Sequence, residues 1–242
     1  MVVDVLAFGV HPDDVELGCG GLLLQEKLLG KKTAIIDLTQ GELGSRGTIK
    51  TRYDEAAAAA AILKVDARDN IKIADGFFVN DKAHQIKVVE QIRKYRPEVI
   101  ICNATEDRHP DHGRSAQLVT DAAFLSGLLK IETSIEGEAQ EHYRPKYVLH
   151  YIQDRYLNPD LVYDITEVFE QKLESIRAYK TQFYNPEIEG PETYISTPGF
   201  LDSVIYRAKM LGKLIGVEYA EGFMSKKHIG IQSLDALIKK NT

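Results

Sequence analysis

The sequence predicts an α/β fold: a Rossmann-like, mostly parallel sheet with helices on both faces, formed as a single domain over residues 1–242, with additional C-terminal strands and helices. Three observations predict it. Short apolar runs alternate with helix-length amphipathic patterns along the first half of the chain, which is the signature of βαβ units. An apolar fraction of 44% in 242 residues is enough to fill a substantial core. No repeat, linker or low-complexity tract divides the chain, apart from the alanine run 56 to 61, which suits a close-packed helix.

The elements follow in order. "VVDVLAFGV" and "KTAIIDLT" are buried strands, and "ELGCGGLLLQEKLLG" between them has the length of a helix and stops at Gly30. A helix around "TRYDEAAAAAAIL", a short strand at "NIKIA", a helix at "KAHQIKVVEQIRKY", the strand "EVIICNA" and a helix at "GRSAQLVTDAAFLSGLL" continue the alternation. Beyond them, "KYVLHYI" and "LVYDI" are two further strands that extend the sheet or start a small second one, followed by the helix "EVFEQKLESIRAYKTQ". Residues 184 to 199, with three prolines and two glycines, form a long ordered loop of the kind used as a lid or a subunit contact.

Composition excludes several classes of function. A net charge of -6 with both signs interspersed gives no continuous positive surface for nucleic acid or anionic lipid. The N-terminal "MVVDVLAFGV" lacks a basic region, and no apolar run approaches the roughly 20 residues that span a bilayer. Two cysteines, Cys19 and Cys102, each inside an apolar stretch, argue for core packing in a reducing compartment, so the protein is expected in the cytoplasm.

In open parallel sheets, ligands bind outside the carboxyl ends of the strands, where loops and helix N-termini converge. "HPDD" stands at the end of the first strand, and Pro12 keeps His11 extended before the chain turns into the helix. A second, similar stretch, "HPDH", puts His109, Asp111 and His112 between another strand and its helix. Gathering several carboxylates and imidazoles is expensive unless a cation compensates them. A divalent metal is the economical answer: His11 and His112 supply nitrogen, one carboxylate supplies oxygen, and a position stays open for water, as in catalytic zinc. The metal lowers the pKa of its water and polarises a carbonyl, and a spare carboxylate takes the proton. Glycines 18, 20 and 21 do not form a dinucleotide fingerprint, because the turn after the strand holds acidic "HPDD"; close backbone packing or the approach of substrate is the expected reason for them. His84, His142, His150 and His228 lack partner spacing and are expected to be structural.

"HPDD", "HPDH", a "GE-x-G-S-R-G" loop after the second strand and an Arg followed by "E-A-A" resemble the PIG-L/LmbE-like metal-dependent N-acetylglucosamine deacetylases. The resemblance spans most of the chain, and the late "VEYAEGFMSKK" is similar to the branch that deacetylates N-acetylglucosaminyl malate in bacillithiol biosynthesis. It implies His11, Asp14 and His112 as ligands of one Zn2+ per chain, with Fe2+ or another divalent ion as the alternative. It further implies Asp13 as general base and His109, oriented by Asp111, as the group that stabilises the oxyanion or protonates the leaving amine. Arg52 and Arg108 correspond to arginines that contact substrate in the family, which suits an acidic aglycone such as malate. Arg46 and Glu42 in the glycine-rich loop are further candidates for substrate contact. Some relatives carry a late-loop Tyr where this chain has Phe200; Tyr194 is the candidate to replace it, against a packing or interface role. The expected partner is a small amino-sugar substrate, and family likeness implies a homo-oligomer, with a hexamer one form.

Two other classes compete. A non-haem iron oxygenase also uses two His and a carboxylate, but normally on an all-β barrel. A non-catalytic metal- or sugar-binding module would need neither Asp13 nor His109. Nearer at hand is the same deacetylation on another conjugate, a chitooligosaccharide or an inositol glycoside.

Overall fold

The computed structural model describes residues 1–237. Strands β1 (Val5–Gly9), β2 (Thr33–Asp37), β3 (Ala67–Asn70), β4 (Val99–Cys102), β7 (Tyr147–Tyr151), β8 (Leu161–Asp164) and β9 (Ala220–Ser225) make one seven-stranded sheet in the order β3-β2-β1-β4-β7-β9-β8. Strands β3, β2, β1, β4 and β7 run parallel, and β9 is antiparallel to both of its neighbours. A small hairpin, β5 (Ser134–Ile135) with β6 (Glu138–Ala139), stands apart. The sheet is thus extended by the late strands.

Side-chain alternation along β1 divides the core. Leu6 and Phe8 face one layer with helices α3 (Lys82–Tyr95) and α4 (Pro110–Leu125). Val5 and Ala7 face the other layer, formed by α1 (Asp14–Leu28), α2 (Ile49–Leu63), α5 (Phe169–Arg177) and α6 (Phe200–Ile215). Strand order reverses between β1 and β4, so their carboxyl ends open the crevice in which such sheets bind ligands.

Helix α1 needs two of its glycines. A β-carbon at Gly18 would overlap the Tyr151 ring, and one at Gly21 would lie 2.7 Å from the Ile165 side chain, whereas Gly20 has ordinary room. The helix is broken at Cys19 (φ −146°, ψ 18°). The break frees the amides of Gly21 and Leu22, which donate to the Glu221 carboxylate at 2.9 and 2.8 Å. Lys172 donates to the Leu17 carbonyl at 3.0 Å and pairs with Glu221. A buried ion pair therefore caps both sides of an internal helix break.

Several sequence expectations move. The strand expected at "NIKIA" lies earlier, at Ala67–Asn70, because β3 follows the register of Ala34–Asp37 and is ended by Lys72 in the left-handed region (φ 52°). Helix α4 starts at Pro110 rather than Gly113, since His109 is its N-cap and Pro110 suits the first turn. The helix expected over 167 to 182 is a 3-10 turn, Thr166–Val168, followed by α5, which ends at Arg177. Helix α6, strand β9 and the β5–β6 hairpin have no counterpart among the elements expected from sequence. The long loop contains a 3-10 turn, Tyr194–Ser196, held by a Thr193/Ser196 capping box. Cys19 and Cys102 are buried free thiols, as expected.

Candidate active site

Both H-P-D stretches meet at the β1/β4 crevice. Asp13 links strand to helix with φ 135°, a conformation that residues other than glycine rarely adopt. This turn sends two adjacent carboxylates to different partners. Asp14 Oδ2 accepts the His11 amide at 2.9 Å and Asn103 Nδ2 at 3.0 Å, while Oδ1 accepts Gln153 Nε2 at 2.8 Å. Asp13 Oδ2 instead accepts Arg52 Nη1 at 2.9 Å, and the same nitrogen donates to the Pro12 carbonyl at 3.0 Å.

The imidazoles surround Asp14. His11 Nδ1 lies 3.6 Å from Asp14 Oδ2, and His112 Nε2 lies 3.3 Å from Asp14 Oδ1. Each ring is anchored through its other nitrogen, His11 Nε2 to Asp75 Oδ1 at 3.0 Å and His112 Nδ1 to Asp107 Oδ2 at 2.6 Å. Those carboxylates fix the tautomers that leave His11 Nδ1 and His112 Nε2 free for a cation. His109 packs edge-on to His11 and stacked with His112, at centroid distances of 4.7 and 5.4 Å, and one nitrogen from each of the three rings lies within 4.8 Å of the others.

These donors fit a small divalent ion. Ligands about 2.0–2.2 Å from a tetrahedral ion stand roughly 3.3–3.6 Å from one another. His11 Nδ1 stands at that spacing from Asp14 Oδ2 and His112 Nε2 from Asp14 Oδ1, and a set of two imidazoles and one carboxylate suits zinc or ferrous iron. Electrostatics agree with positive charge here. Burial works against it, yet Asp14 and Asp107 raise the His112 pKa to about 10, and Asp75 and Asp14 raise that of His11. Burial also opposes ionisation of Asp14, but His112 and His11 hold its carboxyl well below the usual range. Asp13 differs: burial pushes it up to about 6, with Arg52 pulling the other way. The His109 pKa is lowered by burial and by the neighbouring His11 and His112 rings, with Asp111 and Asp14 pulling the other way.

The family model described as PIG-L, GlcNAc-PI de-N-acetylase, matches residues 6–123, from β1 through most of α4. The chain is 32% identical to the conserved protein TT1542 from Thermus thermophilus, whose crystal structure superposes with a TM-score of 0.84 over 96% of this chain and 98% of that one. The chain belongs to the PIG-L family. It is also 27% identical to the diacetylchitobiose deacetylase of Thermococcus kodakarensis, over 91% of this chain and 82% of that protein. The N,N'-diacetylchitobiose deacetylase of Pyrococcus horikoshii, solved with its inhibitor MPG, shares the fold at a TM-score of 0.79 and 22% identity, over 97% of this chain and 88% of that one.

Several of the expected substrate contacts have other tasks in this PIG-L chain. Arg52 is buried on Asp13, whereas Asp54 pairs with Lys50 and Glu55 with Thr181. Arg46 lines the cleft and donates to the carbonyls of Thr181, Ile188 and Pro191, so its fork straps down the late loop. Glu42 accepts the amides of Asp75 and Gln40 and lies outside the cleft lining. The Asp111 carboxylate does not orient His109: it accepts the Gly76 amide and pairs with Arg114, and only the Asp111 amide reaches His109 Nδ1. Arg108 and Tyr194 line the cleft together with Arg46 and Arg52. The Arg108 guanidinium lies 4.2 Å from the Tyr194 ring centre, and both side chains meet Asp154.

Sequence reasoning missed Asp75, Asp107, Asn103 and Gln153. Each follows a strand, β3, β4, β4 and β7 respectively, so strand-end position was the available signal. His150 is structural, its ring nitrogens facing the Asn103 carbonyl and Thr120.

Proposed function

We propose that this member of a deacetylase family removes the N-acetyl group from an N-acetylglucosamine conjugate by metal-dependent hydrolysis, with N-acetylglucosaminyl malate as the first substrate to test. The observation that carries the reading is the division of labour in "HPDD". Asp14 faces two anchored imidazoles, and Asp13, with its raised pKa, is held apart by Arg52. A metal-binding module needs only the first half of that arrangement.

His11, Asp14 and His112 would hold the ion, which when bound polarises the acetamide carbonyl and acidifies water. Asp13 accepts the proton of the attacking water at the oxygen not bound to Arg52. Arg52 keeps that carboxylate ionised and aimed. His109 donates a hydrogen bond to the charge that develops on the carbonyl oxygen, and the proton that Asp13 took from water passes to the departing amine. Arg108 and Tyr194 contact the aglycone at the mouth.

A chitooligosaccharide is the second reading, favoured by the likeness to the Thermococcus deacetylase over most of both chains. Acetate release should be measured on the malate conjugate, free N-acetylglucosamine and N,N'-diacetylchitobiose, with chelator-stripped protein before and after zinc. Metal-dependent turnover of the malate conjugate alone supports the first reading, and turnover of the chitobiose alone supports the second. Silence on all three removes both substrate readings.

A further inference from the structure

Gln153 follows β7 on the same strand-end edge as both H-P-D stretches, and only 6% of it is exposed. Its Nε2 donates to Asp14 Oδ1 at 2.8 Å, next to His112 Nε2. This partner fixes the amide orientation, because flipping it would set two oxygens against each other. The other arm is then an oxygen, Oε1, which is buried and has no hydrogen-bond partner, although the residue lines the cleft. Amide geometry keeps that oxygen within about 5 Å of Asp14 Oδ1. Three neighbouring carboxylates are engaged: Asp14 by three donors, Asp75 by His11 and the Leu43 amide, Asp107 by His112 and two backbone amides. A buried acceptor left unpaired in a native fold calls for an explanation, and in a cleft the economical one is a donor carried by the ligand.

We propose that Gln153 is a specificity-determining residue whose Oε1 accepts a hydrogen bond from an N–H or O–H of the bound amino sugar. The proposal rests on the amino-sugar reading above. The single amide joins two tasks: Nε2 steadies Asp14, and Oε1 demands a donor beside the reacting group. Two donors lie at such a distance from an acetamide carbonyl, its own N–H and the hydroxyl on the adjacent ring carbon. Sites built to hydrogen-bond a substrate discriminate strongly against analogues that lack the donor.

Binding is measured on the zinc-loaded Asp13→Asn protein, so that turnover does not interfere, with the parent N-acetylglucosaminide, its N-methyl acetamide and its 3-deoxy analogue. The parent should bind on the order of 10-fold or more tighter than one of the two analogues. In the Gln153→Met background that preference should vanish, through loss of affinity for the parent alone. Equal binding of all three ligands to Asp13→Asn overturns the proposal without any change at Gln153. A preference that survives in Gln153→Met overturns it too. Zinc affinity, measured by chelator competition on both proteins, separates a loosened Asp14 from a lost substrate contact. Acetate release by the wild-type enzyme is scored separately, so failure of the deacetylase reading is distinguishable from failure of this one.

Discussion

At the scale of the residue, function rests on which way adjacent side chains point. The positive φ of Asp13 separates two carboxylates that the sequence places side by side. Asp13→Asn should keep zinc affinity within a few-fold and lower kcat by roughly 10²–10⁴, the usual loss for a missing general base. Acetate release by Asp13→Asn near the wild-type rate would falsify the assignment. Asp107, invisible to motif reasoning, holds the His112 tautomer at 2.6 Å. Asp107→Ala should weaken zinc binding by about 10–100-fold, as removal of outer-shell carboxylates does in metal sites. Unchanged affinity in chelator competition would show that His112 needs no such support. The ligand candidates were legible because His and Asp after a strand are chemically expensive without a purpose. Asp75 and Asp107 were not, because an isolated acidic residue in a loop is common in any soluble protein.

At the scale of the element, the first helix shows how local and tertiary demands combine. Its glycines were readable as close-packing positions, and Gly18 and Gly21 meet Tyr151 and Ile165. The break at Cys19 was not readable, since its caps, Lys172 and Glu221, come from α5 and β9. Glu221→Ala leaves Lys172 buried without its counter-charge and two amides without an acceptor, and should destabilise the fold by about 3–5 kcal/mol. Urea unfolding reads this directly, and a loss below about 1 kcal/mol would mean that water replaces the carboxylate. The late loop is likewise an element ordered from a distance. The Arg46 fork, read from sequence as a substrate contact, is engaged by carbonyls more than 130 residues away.

At the scale of the whole molecule, the sheet order decides where chemistry occurs. Reversal between β1 and β4 brings residues 11–14 and 107–112 to one crevice, and β7 adds Gln153. A cation bound there links distant parts of the chain and should stabilise the fold. Zinc at 100 times its dissociation constant contributes about 2.7 kcal/mol, which raises Tm by roughly 5–10 °C for a chain of this size. Calorimetry of stripped and reloaded protein checks this, and an unmoved Tm would argue against a folded-state metal site. The sequence by itself determined the alternation of strands and helices in the first half, the two H-P-D clusters and the family, because apolar periodicity and clustered ligands are local signals. Only the tertiary structure decided the place of β9 in the sheet, the burial of Arg52 against Asp13, the strap made by Arg46 and the carboxylates behind each histidine. Those features depend on side chains that meet across tens of residues, and a charged group's role is set by the partner that compensates it rather than by its neighbours in the chain.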